Sequence, residues 1–131
     1  MRYQYNDGGR SQYFKAGQVG DCVCRSIAIA ARRDYKEVYD TVRRLTGENP
    51  RNGLSKKATK KAVEAFGGRW TATMGIGTGC RVHLRDGELP NGRLVCNVSG
   101  HCVAVIDGTI NDIYDPSRSE SRCVYGYWIF N

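Results

Sequence analysis

The chain predicts an α+β fold, with helices in its first half packed on an antiparallel sheet built from its second half. Three observations carry this. Apolar residues recur at helical spacing in the first half, as in Tyr35, Val38, Tyr39, Val42 and Leu45. After Gly68 the texture changes to short β-rich runs separated by turn residues. No strand–helix alternation of the kind that builds a parallel sheet is present. At 131 residues, with 40% hydrophobic and 25% charged residues, the whole span 1–131 reads as one domain with a core of ordinary size.

The elements follow in order. Tyr3 and Tyr5 alternate with polar residues and then stop at Asn6-Asp7-Gly8-Gly9, which reads as a short strand or arm and a turn-rich loop. Gly20-Asp21 then leads into an alanine-rich apolar run from Cys22 to about Arg32, a buried helix with Val23, Ile27 and Ala31 on one face and Asp21 as its expected N-cap. A second helix begins at Asp34, where Asp34-x-x-Glu37 fits a capping box, and ends at Gly47. A polar link with Pro50 and Gly53 precedes a third helix, capped by Ser55 and running from Lys56 to Phe66. Its lysines 56, 57, 60 and 61 are expected mostly on the solvent face. Strands are expected at Trp70–Met74, Arg81–Leu84, Arg93–Val98, His101–Ile106, Thr109–Tyr114 and Arg122–Phe130.

Composition narrows the function classes. The opening MRYQYNDGGR has no apolar run, so neither a signal peptide nor a membrane anchor is expected, and a cytoplasmic location is. The six cysteines are then expected as reduced thiols, most of Cys24, Cys80, Cys96, Cys102 and Cys123 being core or strand residues. There is no C-x-x-C pair for a structural zinc, and the glycines at 75, 77 and 79 lack the lysine–hydroxyl pair of a P-loop. No cofactor or metal is expected. A net charge of +7 allows an acidic partner, nucleic acid included, but speaks to association rather than fold.

The chemistry concentrates at two places. Cys22 stands in a first helical turn, where unpaired backbone N–H groups and the helix dipole favour a thiolate. His101 opens the strand Cys102-Val103-Ala104-Val105-Ile106, and Asp107-Gly108 follows as a hairpin signal. A three-residue loop of Asp107, Gly108 and Thr109 sets His101 opposite Asp115. A two-residue loop sets it opposite Tyr114, with Asp112 on the same face. Either way a carboxylate can fix the imidazole tautomer, so Cys22, His101 and Asp115 form a candidate nucleophile, base and orienter. His83, among Arg81, Arg85 and Asp86, reads as a surface or turn residue.

These residues resemble the papain-like cysteine peptidase superfamily, and within it the bacteriocin-processing branch. The matching motifs are Asp21-Cys22, His101-Cys102-Val103-Ala104-Val105 and Asp115-Pro116. The sequence is also similar to small bacterial and phage proteins that share blocks of the type GDCV-RSIAIA and HCVAVIDG. Residues 46–95 carry no part of the resemblance. It implies a glutamine before the nucleophile that helps to hold an oxyanion, for which Gln18 is the match, with the Cys22 backbone N–H as second donor. Gln18 precedes Cys22 by four residues rather than the family's usual six; six residues on lies Cys24, a rival nucleophile about 200° around the helix from Cys22.

The resemblance implies a thiol hydrolase that cleaves an amide or isopeptide bond in a peptide or protein substrate through an acyl-enzyme; related acyl transferases use the same groups. The alternative is a catalytically inactive papain-like module that binds protein or nucleic acid through the basic run Arg51–Lys61. No membrane partner is expected.

Overall fold

A computed structural model describes residues 1–15 and 20–131. Three helices lie on a six-stranded sheet: β1 (Arg2–Tyr5), α1 (Cys22–Ala31), α2 (Tyr35–Thr46), α3 (Lys56–Ala65), β2 (Arg69–Ala72), β3 (Arg93–Val98), β4 (His101–Ile106), β5 (Thr109–Asp112) and β6 (Val124–Phe130). The class is α+β, as the spacing predicts. The Asp34 carboxylate accepts the Glu37 amide, and the Ser55 hydroxyl accepts that of Ala58, so α2 and α3 begin where their caps stand.

The strand order is β1-β5-β4-β3-β6-β2. The sheet is mixed rather than antiparallel, because β1 pairs in parallel with β5, Tyr3 against Ile110. A single strand brought in from the far end of the chain has no hairpin to set its direction. Residues 81–84 do not form the expected strand; His83 makes one isolated bridge with Cys123.

Successive residues of β3 and β4 serve two cores. Val95 and Cys102 join Ile27, Val38, Val42 and Val63 from the helices. Leu94, Cys96, Val103 and Val105 join Val124, Ile110 and Leu84. Leu84 comes from the long irregular stretch between β2 and β3, so that stretch covers part of the sheet face away from the helices. It is fastened there by backbone bonds between Leu84 and Arg122 and between Val124 and Val82, and by a Cys80–Cys123 disulfide. The disulfide departs from the all-reduced expectation. The pairing follows from the bridge at His83, which brings two cysteines 43 positions apart to a Cα separation of 5.9 Å.

Candidate active site

The site is built where the start of α1 meets the start of β4. Cys22 occupies the first turn of α1 and is half-buried. Asp21 does not cap the helix with its side chain. The fully buried carboxylate turns inward and binds Arg25, Arg10 (3.3 Å) and the Tyr35 hydroxyl (2.6 Å). Two buried guanidiniums need a counter-charge more than the helix needs a cap, since an unpaired buried charge costs several kcal/mol, about 3–5, against about 1 for a cap.

Arg25 carries the connection onward. Its second nitrogen lies 3.5 Å from the Asp112 carboxylate, whose other oxygen is 2.7 Å from His101 Nε2. Asp112 also accepts the Ile113 amide at 2.7 Å, so its position is held from three sides. With Nε2 engaged, Nδ1 is the nitrogen left for a thiol. The Tyr114 ring lies against the imidazole at 5.4 Å between centroids.

Asp112 thus stands where Asp115 was expected. The hairpin has a two-residue loop: Ile106 pairs with Thr109, and Asp107 and Gly108 both have positive φ, 46° and 79°. Such a turn matches the twist of its strands, whereas a third loop residue is not needed. In this register Asp115 falls one position beyond His101. It is exposed, and its carboxylate accepts the Ser117 amide at 2.9 Å in a local turn around Pro116. Asp107 bonds the backbone of Gly92 at 2.8 Å.

Electrostatics distinguish the thiols. Cys22 is pushed down to about 4, first by a hydrogen bond from the Cys102 side chain and then by the hydrogen bond and charge of His101, against the opposing effect of burial. Cys102 is raised well above the ordinary thiol range by its bond to Cys22 and by burial. The negative charge belongs on Cys22, which has the imidazole and the helix start beside it. Burial acts to lower His101, but bonds to Asp112 and Cys22 and their charges outweigh it and raise it to about 9. At neutral pH the pair is thiolate and imidazolium. Cys24 is buried in the core and its thiol is pushed up, chiefly by burial, so it is no nucleophile.

Gln18 lies outside the described residues. His83 sits on the loop between β2 and β3, 3.1 Å from Glu88 and 3.6 Å from the Cys80 sulfur. Arg25 is not among the residues the sequence analysis singles out, although a lone arginine in an apolar helix, one turn after Asp21, is a signal for a buried ion pair. Cys22, His101 and Cys102 border a cleft of about 1280 Å³ between α1, α3 and the sheet. Lys56 and Lys60 border it too, rather than facing only bulk solvent. No group of residues suited to hold a metal is present among the described residues. Nor, among these, is any helix long and apolar enough to cross a membrane.

No family model, curated protein or solved structure matches the chain.

Proposed function

We propose that the protein is a papain-like thiol hydrolase that cleaves an amide or isopeptide bond in a peptide or protein. The observation that carries the reading is the placement of Cys22 and His101 on one open cleft, with Asp112 bonded behind the imidazole and the thiol held low by its neighbours. The Cys22 sulfur attacks the carbonyl carbon and forms a C–S bond. His101 gives its proton to the departing nitrogen as the C–N bond breaks, leaving a thioester and an amine. Water then loses a proton to His101 and attacks the thioester, which releases a carboxylic acid and restores the thiolate–imidazolium pair. Asp112 keeps the imidazole in one tautomer and stabilises its cation. Arg25, neutralised by Asp21, steadies Asp112.

The reading is tested by iodoacetamide labelling at pH 6 with peptide mapping, alongside turnover of an internally quenched peptide library. Cys22 is expected to label far faster than the other thiols, and Cys22→Ala to abolish turnover while keeping the fold. Sluggish labelling at Cys22 rejects the ion pair. Rapid labelling with no turnover by the intact chain rejects the hydrolase and favours a binding module.

A further inference from the structure

The cleft carries a second feature besides its thiol. Trp70, on edge strand β2, is 41% exposed, and Met74 beyond it is 38% exposed; both border the cleft. An exposed indole alone is unremarkable, but this one is packed on its inner side. It pairs across the sheet with Trp128 at 4.5 Å between ring centroids, and the Trp128 indole N–H donates to Glu64 at 3.1 Å. The Trp70 ring also lies across Gly126: a Cβ there would come within 2.2 Å of the ring and 2.8 Å of the Thr71 carbonyl oxygen. Only glycine at 126 leaves room for the ring to approach β6 this closely. The sheet therefore holds a packed apolar platform open to the cleft, in a place fixed by the fold before any ligand arrives.

Apart from the Cys22 thiolate, the charged side chains that border the cleft among the described residues are cationic. The described lining residues include Arg25, Lys56 and Lys60 and no carboxylate. Arg25 is buried and neutralised by Asp21 and Asp112. Lys60 is shared with Glu64 at 3.6 Å, and Lys56 stands one turn before it, in the first turn of α3 where the helix dipole adds positive potential.

Resting on the thiol-hydrolase reading, we propose that the Trp70 platform and the Lys56–Lys60 pair form a substrate-recognition subsite. It selects an acidic peptide segment carrying an aromatic or large aliphatic residue near the bond cleaved.

The test uses acetylated tripeptide vinyl sulfones that alkylate Cys22, with phenylalanine placed in turn at each position among aspartates, lysines or alanines. Second-order rates are read by intact mass and compared with iodoacetamide. The acidic phenylalanine probe is expected to react fastest. Trp70→Ala and Gly126→Ala should each slow it roughly 30-fold, as for a lost aromatic anchor. Lys56→Ala with Lys60→Ala should slow it about fivefold, an effect that shrinks as salt rises. Iodoacetamide rates should stay unchanged throughout. Equal rates for all probes, a preference for lysine, or an aromatic preference that survives Trp70→Ala overturns the subsite. If Gly126→Ala unfolds, Trp70→Ala still decides. If Cys22 does not react even with iodoacetamide, the hydrolase reading has failed by itself. Tryptophan fluorescence of Cys22→Ala titrated with acidic and basic phenylalanine peptides then tests the subsite separately, and no acidic preference refutes it.

Discussion

At the scale of single residues, the site depends on which carboxylate meets His101. Asp112 is buried between Arg25 and the imidazole, whereas Asp115 faces solvent. Asp112→Asn should therefore cut turnover by about 10⁴-fold, by analogy with an aspartate lost from a serine triad, and Asp115→Asn should leave it nearly unchanged. Steady-state kinetics on the two variants check this, and equal losses would mean that the hairpin register is wrong. Cys102 offers a second contrast, because its thiol gives the Cys22 thiolate its largest stabilisation. Cys102→Ala should move the onset of Cys22 alkylation to higher pH, measured by iodoacetamide rate against pH. The His101 partner is untouched by that change, so reactivity should be displaced along the pH axis rather than lost.

At the scale of elements, two connections place the chemistry. The Asp107-Gly108 turn fixes β5 against β4, and one residue more in the loop would exchange the carboxylate that reaches His101. The other connection is the irregular stretch between β2 and β3, which has few ladder bonds and depends on Leu84 and the Cys80–Cys123 disulfide to stay on the sheet. Replacing both cysteines with serine should lower the unfolding free energy by about 2–4 kcal/mol, mainly through a less restricted unfolded chain. A urea midpoint measured with and without reductant reads the loss, and the serine variant should no longer respond to the reductant.

At the scale of the whole molecule, the pH response is set by two opposed shifts. Cys22 lies near 4, so its thiolate is lost only as pH falls through that value. His101 lies near 9, so its proton is lost as pH rises through that value. Turnover should accordingly rise through about pH 4, stay level across neutrality and fall through about pH 9. An unassisted thiol would instead gain reactivity only near its ordinary value of about 8.5. A single ascending limb near 8.5 would mean that the ion pair does not form. The net charge of +7 adds a long-range term that favours acidic ligands at low salt.

What the sequence determined by itself is local. Apolar spacing and caps located the helices, with Asp34, Gly47 and Ser55 marking boundaries to within a residue or two. The alternation in 93–106 located the central strands. Cys22 and His101 stood out because a helix start and a strand start are places where a polar side chain has an unusual environment. Tertiary structure alone decided the rest. The direction of β1, the Cys80–Cys123 pairing and the Trp70 platform over Gly126 join residues far apart in the chain, and nothing in the local spacing of either partner names the other. From its neighbours in sequence Asp21 reads as a cap, because caps are local; in the fold it is a counter-ion, because Arg10 and Arg25 are buried beside it. The choice of Asp112 over Asp115 turned on one residue of loop length. A strand alternates its faces every residue, so so small a difference selects a different side chain for His101.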